Sequence, residues 1–359
     1  MRPARCRGES FAGTPQHTLA AAYPGQRASS RQIHFQKGRQ IMKSFVFATG
    51  ALFAIATLGA CSSGPSVAET PASTLFQASW NSGQNADEPA FQAQKIDENT
   101  IAIRQSLRTS FEAPFLYLLF GGERALLIDT GVEGVDLRSE IDGLLGEWAA
   151  AHGKAVPTLV VMHSHRHRDH TGGDAQLADR PDTTIVGLEL ADIAAFFGIE
   201  DWPNQVGSID LGGRKLQIVP TPGHADSHVM VFDPTTRILF SGDAIYPGRL
   251  FYQCESAATY EASINRIANY VAENQVKWLL GGHIEMSTTP GQPFPQDEKV
   301  RHGEHLLELP ASIVGKIQTA LKAQAGQPRV QPFEEFWLLP HPADPTGKSP
   351  PDWCLASGA

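Results

Sequence analysis

Between about residues 95 and 345 the chain is built from short continuous apolar runs separated by glycine, proline and polar turns. Apolar runs of this length, bounded by turn signals, read as buried strands. They predict strands near Ile101, over Phe115 to Phe120, Leu126 to Ile128 and Thr158 to Met162 (TLVVM), and a short one at Thr184 to Val186. Three further runs, LQIVP, RILFSGD and VKWLLGGH, read the same way. Elsewhere the apolar spacing turns helical: Leu137 to Ala151, Leu188 to Phe197, the set Tyr260, Ile264, Ile267 and Val271, and Ala311 to Ala323. A hairpin is expected to turn at Gly212 and Gly213, and an aromatic cluster at Phe333, Phe336 and Trp337 closes the patterned region. No internal repeat and no Gly-rich nucleotide-binding loop interrupts it.

Four of these strands end in turns that carry metal-ligand residues. TLVVM leads into HSHRHRDHTGGD, LQIVP into TPGH with His224, RILFSG into Asp243, and VKWLLGG into His283. Within the first, HxHxDH fits only one register, His165, His167, Asp169 and His170, which leaves His163 as a neighbour of the site. Neutral imidazoles suit zinc, and a carboxylate among them lets a second ion bind close by with a position open for water. Ligands placed just past four strand ends can converge on one edge of a sheet.

Together, LLIDTG at Leu126 to Gly131, HSHRHRDHTGG, TPGH, SGD and GGH resemble the ordered motifs of metallo-β-lactamase-fold hydrolases, over roughly Asn99 to Met286. The resemblance implies an α/β fold, a four-layer αββα sandwich, with two zinc ions per chain, iron or manganese being the other metals this donor set takes. It implies His165, His167 and His224 on one ion, Asp169, His170 and His283 on the other, and Asp243 bridging them. Asp129 and Gly131 match a turn beneath the site, where Asp129 is expected to hydrogen-bond the ligand-bearing loop. The implied chemistry is attack on a carbonyl (ester, lactone or thioester) by a metal-bridging hydroxide. Asp169 is then a general acid-base as well as a ligand, and Tyr246 stands where related lactonases carry a tyrosine near the substrate carbonyl. Metallo-β-lactamases proper resemble this chain in their histidines but carry Cys or Ser in place of Asp243, so β-lactam hydrolysis ranks second. A mononuclear iron sulfur dioxygenase, which reuses much of this ligand set, is the alternative from another class. The Pro-rich tail lacks the basic C-terminal helical domain with which glyoxalase-II-type enzymes hold glutathione. His302, His305 and His341 are expected to be solvated, Trp202, Phe251 and Tyr252 are aromatic candidates for the pocket wall, and Arg249 is a candidate anchor for a substrate carboxylate.

The flanking segments suggest export. From Met42 the chain reads MKSFVFATGALFAIATLGAC: a lysine, an apolar stretch from Phe45 to Leu58, then small residues before Cys61. That stretch is too short to span a bilayer and suits a signal-peptide core, and LGAC resembles a lipobox. The expected organisation is an extension at 1–41 that precedes the true start at Met42, a lipoprotein signal at 42–60, a flexible tether at 61–94, a catalytic domain at 95–345 and a tail at 346–359. The expected location is the bacterial envelope, periplasmic side, with a membrane anchor on Cys61. In that compartment Cys254 and Cys354 are expected to pair. The first 60 residues hold eight of the 29 Lys and Arg and one of the 38 acidic residues, so the remainder carries a formal charge of −16. That charge disfavours nucleic acid as a partner and leaves a small-molecule carbonyl substrate.

Overall fold

The computed structural model of the protein describes residues 75–341. In chain order its strands are β1 (Phe91–Asp97), β2 (Thr100–Gln105), β3 (Phe115–Phe120), β4 (Arg124–Ile128), β5 (Thr158–Met162) and β6 (Thr183–Ile185), which form one sheet in that spatial order. Neighbours are antiparallel from β1 to β4 and parallel from β4 to β6. The crossover between β4 and β5 is α1 (Leu137–His152), while α2 (Arg168–Thr171) and α3 (Asp174–Leu177) lie between β5 and β6. After α4 (Leu190–Phe197) come β7 (Gly207–Asp210), β8 (Lys215–Pro220), β9 (Val229–Asp233), β10 (Ile238–Gly242) and β11 (Arg249–Gln253). The chain continues through α5 (Ala257–Glu273), β12 (Trp278–Gly281), β13 (Glu308–Pro310), α6 (Ile313–Gln324), β14 (Gln331–Pro332) and β15 (Trp337–His341). A second sheet has the order β13-β12-β10-β9-β8-β7, and a third the order β11-β15-β14.

Period-two side-chain alternation builds the layers. In β3 every residue is buried: Phe115, Tyr117 and Leu119 face the second sheet, and Leu116, Leu118 and Phe120 face α1. The inner faces meet through Tyr117, Leu126, Ile128 and Val160 on one side and Ile218, Val231, Phe240 and Leu280 on the other. Leu137, Ile141, Leu145 and Trp148 of α1 cover the first sheet's outer face. Tyr260, Ile264 and Ile267 of α5, with Ile313, Val314 and Ile317 of α6, cover that of the second. The result is the expected four-layer αββα sandwich. Its C-terminal stretch completes the sandwich, β13 extending the second sheet and α6 its outer layer.

The tether expected over 61–94 is corrected where residues are described. Phe76 is buried, Trp80 packs edge-on against Phe115 with ring centroids 4.9 Å apart, and Phe91 begins the edge strand β1. The mixed sequence FQAQKID hid this strand, because an edge strand buries one face only. The proposed signal, Cys61 and the tail at 346–359 lie outside the described residues, among which no helix is long and apolar enough to cross a membrane.

Cys254, the only cysteine among the described residues, is disulfide-bonded. Cys354 lies outside the described residues, and we expect non-reducing peptide mapping to recover Cys254 joined to Cys354. A Cys254 peptide joined elsewhere overturns the pairing. Closing a loop of that length should contribute about 2–4 kcal/mol, read as a lower midpoint of unfolding in reductant.

Candidate metal centre

Five strand ends supply the site. Beyond β5 the chain carries His163 to His170, beyond β8 His224, beyond β10 Asp243, beyond β12 His283, and beyond β4 Asp129. All seven residues expected as ligands come together in two groups, His165 with His167 and His224, and Asp169 with His170, Asp243 and His283.

In the first group, His165 Nε2 lies 2.8 Å from His167 Nδ1 and 3.2 Å from His224 Nε2, with 3.0 Å between the last two. In the second, His170 Nε2 is 3.3 Å from Asp169 Oδ2, 3.4 Å from Asp243 Oδ1 and 3.4 Å from His283 Nε2. His283 Nε2 is 3.3 Å from Asp169 Oδ2 and 3.4 Å from Asp243 Oδ2. A tetrahedral zinc with bonds of about 2.0–2.1 Å places its donors about 3.3–3.4 Å apart, so the second group has the spacing of a zinc ligand set and the first is slightly tighter. Asp243 Oδ2 also lies 4.0 Å from His165 Nε2 and 3.8 Å from His224 Nε2, which puts this carboxylate between the groups.

The far sides of the imidazoles decide what the near sides can do. His224 Nδ1 donates to the Phe251 carbonyl at 2.7 Å and His283 Nδ1 to the Glu112 carbonyl at 2.9 Å. His170 Nδ1 donates to Asp129 Oδ2 at 2.8 Å. With the proton fixed there, each Nε2 turns a lone pair toward carboxylates and other lone pairs. Buried acceptors that face one another fit a cation, and Asp243 Oδ1 is buried without a hydrogen-bond partner.

The electrostatics agree. Burial and neighbouring imidazoles hold His165 well below its ordinary value, and burial with the neighbouring His224 brings His167 down to about 4, so both favour the neutral form that a metal ligand needs. Burial opposes charge on His170 and His283, yet Asp169 and Asp243 raise both well above the usual range, so the second group favours positive charge. Burial raises the Glu112 carboxyl to about 7.

Asp129 sits where expected, beneath the loop. Its Oδ1 accepts the Ser164 amide at 2.7 Å and its Oδ2 the Ser164 hydroxyl at 2.9 Å, besides the bond from His170. His163 turns away to Asp174, 2.8 Å off. Gly282 permits the close approach of Asp243, since a Cβ there would stand 2.3 Å from Asp243 Oδ1 and 2.9 Å from His170 Cε1.

Two of the expected site residues are engaged inside the protein. The Tyr246 hydroxyl donates to the Arg249 carbonyl and lies 3.3 Å from Glu285 Oε2, while its ring packs edge-on against His283; the residue is buried. Its hydroxyl proton is donated to the backbone, and the residue lines the cavity over the metal groups. Arg249 is engaged internally, its guanidinium on the Phe294 carbonyl and 3.5 Å from Glu285, so it is not an anchor for substrate. Trp202 packs on the inter-sheet core, whereas Phe251 and Tyr252 do line a cavity of about 680 Å³ over the metal groups.

Sequence reasoning missed several residues lining that cavity: Glu112, Arg166, Arg168, Glu285 and Gln296, with His341 at its edge. The two arginines were in plain view as the variable positions of HxHxDH. The others arrive from loops without a local signature. His228, fully buried, packs beside His165 with ring centroids 5.3 Å apart and was also missed.

Residues 111–253 match the family model of the metallo-beta-lactamase superfamily, over the stretch that carries six of the seven converging residues, all but His283. Over this stretch the chain is similar to that superfamily. Among its relatives, hydroxyacylglutathione hydrolase from Mesorhizobium japonicum is 31% identical over 116 residues, 32% of this chain and 44% of that protein. Acyl-coenzyme A thioesterase MBLAC2 from Bos taurus is 28% identical over 201 residues, 47% of this chain and 72% of that one. The chain thus spans less than half of the first relative's length. A metallo-beta-lactamase from Pontibacter korlensis superposes with a TM-score of 0.45 at 19% identity, covering 65% of this chain and all of that one.

Proposed function

We propose that this chain is a two-metal hydrolase that cleaves acyl thioesters, and related esters or lactones, at the cavity over Asp243. The observation that carries the reading is Asp243 between two groups of tautomer-fixed imidazoles, spaced for two ions. Two zinc ions, one held by His165, His167 and His224, the other by Asp169, His170 and His283, with Asp243 shared, would bring the pKa of a water to near neutrality and polarise a carbonyl. The names of the relatives support thioesters, since hydroxyacylglutathione hydrolase and acyl-coenzyme A thioesterase both denote thioester cleavage.

Asp169 and Asp243 differ in what they can do beyond holding an ion. Both line the cavity, but the Asp169 side chain is 22% exposed and that of Asp243 only 9%. Asp169 can therefore accept the proton of the attacking water and pass it to a leaving thiol, while Asp243 is confined to orienting. Phe251 and Tyr252 give the cavity an apolar wall beside the reacting carbonyl.

Metal analysis of the full chain, followed by assay of the zinc-loaded protein on thioesters, esters, lactones and cephalosporins, tests the reading. Two zinc ions per chain and turnover of thioesters are expected. One iron with oxygen consumption would replace it by the dioxygenase reading, preference for cephalosporins by the β-lactamase reading, and no hydrolysis of any of these substrates would sink it. Asp169→Asn retains an oxygen ligand but not the base, so kcat should fall by roughly two orders of magnitude or more with little loss of metal. Retention of parental kcat would remove Asp169 from proton transfer.

A further inference from the structure

The two arginines interleaved with the metal-site histidines have no part in the chemistry above. His165 and His167 face the first group, while Arg166 on the preceding loop and Arg168 at the start of α2 are exposed, and both line the 680 Å³ cavity. Arg168 also lines a second cavity of about 520 Å³ with Ser110, Phe111 and Gly172, and Glu112, Arg168 and Asp169 are common to both. The groove therefore runs past the metal groups, with Arg168 where its two parts meet.

The surrounding charge makes these cations informative. Residues 61–359 carry a formal charge of −16, and Glu112 and Glu285 line the cavity as well, so an anionic substrate meets repulsion from most of the molecule. Arg166 has no carboxylate partner among the described residues. Arg168 stands 3.3 Å from Glu133, both side chains being largely exposed at 90% and 72%, a weak solvated pair that an incoming anion can replace. Two guanidinium groups two residues apart in sequence can bind a phosphate or carboxylate by paired, charge-assisted hydrogen bonds. The apolar wall comes instead from β11, through Phe251 and Tyr252, which separates a place for an acyl group from a place for an anion.

We propose that Arg166 and Arg168 form a cationic lip that selects thioesters whose leaving thiol carries a phosphate or carboxylate. This rests on the thioester reading, and binding separates the two. Uncleavable thioethers with one alkyl group on coenzyme A (phosphates), on glutathione (carboxylates) or on N-acetylcysteamine (no charge) are titrated by calorimetry into the full-length, zinc-loaded protein. The wild type should bind one or both anionic thioethers at least tenfold more tightly than the neutral one, with the difference shrinking as salt is raised. In Arg166→Gln/Arg168→Gln the anionic preference should fall tenfold or more, and in Arg237→Gln, which removes a charge from outside the cavity, it should persist. A larger effect on coenzyme A identifies phosphate as the ligand, a larger effect on glutathione carboxylate. Equal affinity for the three thioethers, or a preference unchanged in the double variant, overturns the lip. If the binding preference holds while the matching thioesters are not cleaved, the hydrolase reading fails and the lip stands.

Discussion

Asp243→Ala should lose metal from both groups and at least roughly 100-fold in turnover. Removing a residue that merely orients a metal ligand typically costs about 10–100-fold in affinity or activity, and Asp243 is placed to be a ligand shared by two ions. Its Oδ1 stands 3.4 Å from His170 Nε2 and its Oδ2 3.4 Å from His283 Nε2, with His224 and His165 at 3.8 and 4.0 Å. Truncation takes away the one carboxylate between the groups and leaves their imidazoles facing one another with less compensating negative charge. The fold should survive, because β10 is buried in the second sheet through Ile238, Leu239 and Phe240 rather than through Asp243. Metal content after dialysis, set beside that of Asp169→Asn, measures the effect, and Asp169→Asn should retain more. Two retained ions with parental rates would show that Asp243 does not bridge.

Glu304→Ala should lower stability by about 3–5 kcal/mol, the usual consequence of stranding one member of a buried ion pair. Arg104 on β2 meets Glu304 through two parallel bonds of 2.6 and 2.7 Å, with only 2% and 8% of the two side chains exposed. The loop holding Glu304 also holds Arg301, whose guanidinium donates to the Ile284 carbonyl at 2.8 Å and the Phe111 carbonyl at 2.7 Å, next to His283 and Glu112. Loosening the loop should therefore weaken metal retention as well as stability. Denaturant unfolding of the metal-free protein isolates the first effect, and a midpoint of thermal unfolding lower by on the order of 10 °C is expected. Arg104→Met with Glu304→Leu, which removes both charges, should recover much of the loss. A single variant within 1 kcal/mol of the wild type would mean that the pair adds no net stability.

The local pattern of the chain determined the sandwich strands, because buried strands need unbroken apolar runs and such runs are visible one residue at a time. FLYLLF and TLVVM became β3 and β5. The ligand set was equally legible: HxHxDH, TPGH, SGD and GGH each put chemistry beside a turn at a strand end, and those seven residues now form two groups. Edge strands were not legible. β1 and the three-stranded sheet of β11, β15 and β14 bury one face or pair across long sequence separations, so their residues look like polar linker or tail.

Tertiary structure alone decided what each side chain is committed to. Tyr246 and Arg249 both stand near the right motif, and folding placed carbonyl acceptors beside them, at Arg249 and Phe294, which their donors take. The same three-dimensional sorting left Arg166 and Arg168 at the cavity and fixed His224 and His283 through the carbonyls of Phe251 and Glu112, 27 and 171 residues away in sequence. The sequence by itself determined which atoms could bind a metal, since donor chemistry belongs to residue type. Which of them converge, and which are spent on the backbone, depends on distances that exist only once the two sheets have packed.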